Sequence, residues 1–294
     1  MTGEQILRTV DRVRKGEFPH YDWDAVADRV ERQTDDPHEH FRLYSQAAKA
    51  WMTDVASVLG RPYIVRESEA FILVSSDTLE MIEQHLAALE RMLDSIYEGL
   101  DGAAYQFYGK MPVVLFHEHQ RFYEYLSDHP GPDGELRMVH AVNMGGWYPQ
   151  IIAFAPEINE LRAALCHETC HAVLAPYELP AWIDEALTQE VEHHVIGKTP
   201  YELNPEWIKR HRAYWTPERI EGFWAGDSFW YPDDGSELSY HLARFLLRGL
   251  TQDATLEERT AFLHAASRED GGRQAAEDVL GISLDEALDH FLKN

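Results

Sequence analysis

Leu165-Cys166-His167-Glu168-Thr169-Cys170-His171-Ala172-Val173-Leu174 is the stretch on which the reading of this 294-residue chain turns. Residues four apart on an α-helix stand nearly above one another, so a helix here can present the imidazoles of His167 and His171 to one metal ion. Glu168 lies beside that face without being on it, a position suited to a base that acts on water rather than to a ligand. The internal residues Thr169 and Cys170 are uncharged, and Leu161, Leu165, Val173 and Leu174 flank the motif with apolar side chains, as a buried helix requires.

Beyond Pro176, Leu179-Pro180-Ala181-Trp182-Ile183-Asp184-Glu185-Ala186-Leu187-Thr188-Gln189 predicts a second helix with Pro180 in its first turn. Glu185 falls 14 residues after His171, past a turn long enough to return the second helix beside the first. A His, His, Glu set leaves the fourth tetrahedral position to water, which distinguishes catalytic zinc from closed structural sites. Asp184 is the neighbouring alternative ligand.

Upstream, Ala70-Phe71-Ile72-Leu73-Val74-Ser75 and Pro112-Val113-Val114-Leu115-Phe116 predict two buried strands. An amphipathic pattern from Asp77 to Leu100 predicts a long helix between them, and Gln120 to Leu126 a short one. Gly and Pro accumulate between Gly131 and Gly146, which predicts loops around one short strand near Val139 to Val142. Gly145-Gly146-Trp147-Tyr148-Pro149 then turns into Gln150-Ile151-Ile152-Ala153-Phe154, read as a hairpin or edge strand. Residues 1–62 carry apolar positions at three- and four-residue intervals and read as helical, ended by Gly60 and Pro62. After Pro156 the pattern is helical almost to the end. Helices, then strands mixed with helices, then helices again predict an α+β fold rather than alternating α/β. The expected divisions are an N-terminal helical extension (1–62), a strand-containing half (63–156) and a helical half (157–294) carrying both motif helices.

The His-Glu-x-x-His helix followed by Leu-Pro-x-Trp-x-x-Glu resembles the gluzincin metallopeptidases, and within them the peptidase MA-like family of bacterial proteins. Glu69 to Val74 resembles that family's opening strand, Pro112 to Phe116 its second strand, and Gly145 to Tyr148 the start of its edge strand. Ser239-Tyr240-His241-Leu242-Ala243-Arg244-Phe245-Leu246 resembles a later family helix, and Gly281 to Glu286 its closing segment. The match spans roughly residues 68 to 294. The family usually carries Gly directly after the liganding Glu, where Ala186 stands here.

This resemblance implies a zincin-like fold, with a small mixed sheet packed with an active-site helix and a mostly helical C-terminal subdomain. It implies Zn²⁺ held by His167, His171 and Glu185, and peptide-bond hydrolysis with Glu168 as general base toward a zinc-activated water. Tyr240 and His241 are the candidate donors to the oxyanion, with Tyr231 in reserve. Gln189 or Glu190 would accept the remaining imidazole N–H protons. The strands at Gly145 to Tyr148 and Ile151 to Phe154 would receive an extended peptide. The same ligands could serve a non-catalytic zinc protein, or a zinc hydrolase of a non-peptide amide or ester.

Other clusters read as ordinary surface or core. His117-Glu118-His119 and His193-His194 are expected at the surface, and Cys166 and Cys170 as small buried hydrophobes. Two cysteines four apart cannot form a disulfide framework and fit a reducing compartment. The chain holds 26 basic and 51 acidic residues, a net charge of −25, which argues against nucleic acid and anionic membrane surfaces as partners. No apolar run approaches the roughly 18 residues of a bilayer span, and the first residues lack the basic and apolar regions of a signal peptide, so the expected location is cytoplasmic. Residues 1–62 carry 9 basic and 11 acidic residues, leaving −23 of the charge downstream. A negative field there favours cationic over anionic peptide substrates.

Overall fold

The computed structural model describes residues 1–13, 16–100, 103–129, 141–144, 148–154, 158–197 and 204–293. The fold is α+β, with a five-stranded sheet and a separate two-stranded ribbon. The chain divides into two compact units. One contains Met1–Asp94 and Gln106–Ala172, and the other Ser95–Tyr105 and Val173–Asn294.

In the first unit the strand order is β3 (Ile64–Glu67), β4 (Phe71–Ser75), β5 (Met111–Phe116), β7 (Gln150–Phe154), β6 (Ala141–Met144). The three inner strands are parallel, and β3 and β6 pair antiparallel at the two edges. Inner parallel strands are covered on both faces, which is why β4, β5 and β7 read as continuous apolar runs and not as alternating ones. α4 (Leu79–Gly99) makes the crossover from β4 to β5, and α5 (His119–Ser127) follows β5 and packs on β5 and β7. Both fall where the periodicity predicts them.

The first 59 residues supply α1 (Gly3–Leu7), α2 (Trp23–Glu31) and α3 (Pro37–Leu59), and α3 packs on β3, β4 and β5. Asp36 caps α3 by accepting from the His38 N–H, Pro37 occupies its first turn, and Gly60 ends it at φ 76°. Leu43, Ala47, Trp51 and Val55 line its buried stripe and meet Ile72, Val74, Val114 and Ile152, the alternate residues of one sheet face. The Trp51 indole donates to the Pro19 carbonyl at 2.6 Å and stands edge-on to Trp23. α1 approaches α3 so closely that a Cβ on Gly3 would lie 1.8 Å from the Leu43 carbonyl oxygen.

Two expectations need correction. Residues 1–62 are not wholly helical: β1 (Arg12–Val13) and β2 (His20–Tyr21) form the antiparallel ribbon, around Gly16 and Pro19, both poor helix formers. The Gln150–Phe154 strand is not an edge. It is an interior strand between β5 and β6, and β6 is the edge, because β7 continues the parallel order while β6 returns antiparallel beside it. The hairpin reading of this pair holds. Gly145, Gly146 and Trp147 lie outside the described residues, as do residues 139 and 140 of the strand expected near 139–142.

The second unit is helical. α7 (Ala181–Ile196) packs along α10 (Gly235–Thr251), with α8 (Pro205–Tyr214), α9 (Pro217–Ala225), α11 (Leu256–Ala265), α12 (Arg273–Ala275) and α13 (Leu284–Lys293) around them. Asn204 and Thr216 cap α8 and α9 ahead of Pro205 and Pro217, and Thr255 with Glu258 forms a capping box on α11. Trp182 is fully buried and donates its indole N–H to the Gly271 carbonyl at 2.8 Å. α6 (Ile158–Leu174) carries the His-Glu-x-x-His sequence and belongs to the first unit as far as Ala172. Among the described residues no helix is long and apolar enough to cross a membrane.

Replacing Trp51 with Ala removes a fully buried side chain and its hydrogen bond. The expected loss is about 3–5 kcal/mol of unfolding free energy, read from the denaturant midpoint; a loss below about 1 kcal/mol contradicts the packing described here.

Candidate metal centre

α6 sets its buried side with Cys166 and Cys170, fully buried and not joined in a disulfide. His167 and His171 are half-buried on the adjoining face. Their Nε2 atoms lie 3.0 Å apart, with the rings 4.6 Å apart and nearly perpendicular. Zinc–nitrogen bonds of about 2.0–2.1 Å set tetrahedral nitrogen–nitrogen edges of about 3.3 Å, so the pair already has the spacing of two ligands.

Glu185 stands on α7. One ligand atom from each of His167, His171 and Glu185 lies within 4.8 Å of the other two, the one such His/Cys/Asp/Glu group among the described residues. The carboxylate in that group is Glu185 and not its neighbour Asp184. Two imidazoles and one carboxylate suit Zn²⁺, which takes nitrogen and oxygen donors in four-coordinate sites.

Glu168 stands outside the group. Its Oε2 accepts the backbone N–H of Asn143, on β6, at 2.6 Å. That bond anchors one carboxylate oxygen to the sheet edge, and no hydrogen bond engages Oε1 among the described residues. Asn143 escaped the sequence reading because its contribution is a backbone N–H, placed by topology and carrying no residue-type signal.

Tyr240, on α10, places its hydroxyl 3.4 Å from Glu185 Oε1. Gln189 is nearly buried and donates its amide to the Glu185 and Tyr240 carbonyls, at 3.2 and 3.0 Å, tying α7 to α10. Glu190 accepts from the buried Arg244 Nε at 2.5 Å. Both expected imidazole partners are thus engaged with helix-packing contacts inside the second unit. His117 is exposed, with Nε2 3.0 Å from an Asp77 carboxylate that also faces His85 at 3.4 Å.

His241 is one residue beyond Tyr240 and about 100° round the helix, and it is fully buried. It stacks on Trp207 at 4.3 Å, and its Nδ1 lies 2.7 Å from His211 Nε2. The Trp215 indole can only donate, and it does so to His211 Nδ1 at 2.8 Å. His211 therefore carries its proton on Nε2, and His241 accepts on Nδ1 and carries its own proton on Nε2. Burial, then the charges of His241 and Arg210, pushes His211 down to about 3. Burial, then Arg210 and Arg244, pushes His241 down to about 4.

No protein-family model matches this chain, and a search of curated proteins finds no match.

The two low values set a pH dependence. The unfolded chain takes up these protons near pH 6.5, whereas the folded unit resists them until about pH 4 and below. Their contribution to stability is complete above about pH 6.5 and is lost as pH falls from there toward 4. Imidazole NMR signals of His211 and His241 should stay at their neutral positions from pH 8 to about 5. Titration of either with a midpoint near 6.5 contradicts the buried relay.

Proposed function

We propose that this chain is a zinc-dependent metallopeptidase of gluzincin type with a zincin-like fold. The observation that carries the reading is the convergence of His167, His171 and Glu185 while Glu168, in the same motif, is held apart at the edge strand. A structural zinc site has no use for such a base. Zinc, when bound, supplies Lewis acidity and lowers the pKa of the attacking water.

The chain's own residues account for the remaining steps. The free carboxylate oxygen of Glu168 takes a proton from the water as its oxygen bonds to the scissile carbonyl carbon. It then delivers that proton to the leaving nitrogen as the carbon–nitrogen bond breaks. The oxyanion needs a donor positioned in advance, and Tyr240 fits better than His241, since its hydroxyl is already beside Glu185. The outer edge of β6 offers main-chain groups to an extended substrate, next to the N–H that orients Glu168. Two buried cysteines that form no disulfide support a reducing, cytoplasmic location.

Metal analysis of the purified protein should return about one zinc per chain, and a protein that refuses added zinc overturns the reading. Glu168→Gln should keep the metal and abolish cleavage of a diverse peptide library. Unchanged turnover removes Glu168 as the base, and zinc retention without turnover in the unaltered protein favours a non-catalytic zinc protein. Tyr240→Phe should lower kcat by about 10²-fold with KM little changed; an unchanged kcat excludes it as the oxyanion donor.

A further inference from the structure

The helical unit contains a cavity of about 320 Å³ at the start of α7, lined in part by Asp184, Glu185, Trp224, Asp227, Trp230 and Arg268. Glu185 borders this space and is also the proposed carboxylate ligand, so the occupant is taken to be part of the substrate. In that respect the inference rests on the peptidase reading.

Asp227 and Trp230 begin and end a single 3₁₀ turn, Asp227–Trp230. Residues three apart eclipse in a 3₁₀ helix, so the two side chains leave the turn on the same side, and both line the cavity. Trp230 is 58% exposed, and no hydrogen bond or ion pair engages the Asp227 side chain among the described residues. An exposed indole beside an uncommitted carboxylate is a cation-binding pair, since the ring face attracts ammonium and guanidinium groups. Gly226, at φ 88°, precedes the turn, and a Cβ there would come within 2.9 Å of the Ala181 Cβ. Glycine thereby lets the turn close on the start of α7.

Trp224, 3% exposed, closes part of the wall of the same cavity. The lining's one cation, Arg268, donates its Nε–H to the Leu179 carbonyl at 2.9 Å and is outnumbered by three carboxylates.

We propose that this cavity is the subsite for a basic side chain of an extended peptide substrate, with the Trp230 ring and the Asp227 carboxylate as its recognition pair.

The test reads binding alone. N-terminally acetylated, fluorescently labelled peptides, identical except for Lys, Arg, norleucine or Glu at one central position, are titrated into the Glu168→Gln protein with and without zinc. Acetylation removes the α-amino group as a competing source of cation. The Lys and Arg peptides should bind about tenfold tighter than the norleucine peptide, with the Glu peptide weakest and high salt narrowing the gap. Asp227→Asn should bring the Lys peptide to the norleucine level with norleucine affinity unchanged, and Trp230→Ala should abolish the Lys-over-norleucine preference; zinc content is unchanged in both. Equal binding of all four peptides, a preference that survives both substitutions, or no binding by any peptide overturns the subsite. A Lys preference in a protein that holds no zinc or cleaves nothing sinks the peptidase reading and spares the subsite; cleavage without the preference does the reverse.

Discussion

Two imidazole nitrogens 3.0 Å apart are aimed at one point in space, and α6 holds His167 Nε2 and His171 Nε2 in that relation. The helix fixes it through the four-residue repeat, and the burial of Cys166 and Cys170 on the adjoining side fixes the rotation of the helix. Every further element of the proposed centre depends on that orientation. Glu168, one residue past His167, is turned toward β6 because both histidines are turned elsewhere, and the Asn143 N–H meets it there. In the helical unit, Gln189 bridges α7 and α10 through two carbonyls and so fixes the Tyr240 hydroxyl near Glu185.

Much of this was legible in the sequence because it rests on local repeats. A four-residue spacing needs only a helix, and continuous apolar runs such as Ile72-Leu73-Val74 and Val113-Val114-Leu115 announce strands covered on both faces. What was not legible depends on distant partners. The β1–β2 ribbon is two residues long on each side, too short for a period of two to stand out against the helical spacing of Val10 and Val13. β3 went unforeseen for a similar reason, since Ile64-Val65-Arg66-Glu67 has only two apolar residues and pairs with a single neighbour. The strand order at β6 and β7 inverts the expected edge because sequence states that a hairpin forms but not which arm faces the existing sheet.

The same limit applied to the side chains around the centre. Gln189 and Glu190 sit at plausible positions on α7, yet their partners are on α10, 50 or more residues away in sequence. His241 was indistinguishable from Tyr240 as a donor until its neighbours were known. Trp215 and His211 impose a tautomer on it, and burial removes its charge over the whole neutral range. The acidity of the chain, so general in the composition, acquires a local form at the α7 cavity, where carboxylates and tryptophans gather beside Glu185.

The central claim is that His167, His171 and Glu185 form a nitrogen and oxygen donor set for zinc, open at its fourth position. X-ray absorption at the zinc K-edge, recorded on the zinc-loaded protein, reads that donor set directly. The account predicts four nitrogen or oxygen scatterers at about 2.0–2.1 Å, with the multiple scattering of two imidazoles and no sulfur. A zinc–sulfur shell at about 2.3 Å would place the metal on Cys166 or Cys170 and contradict it.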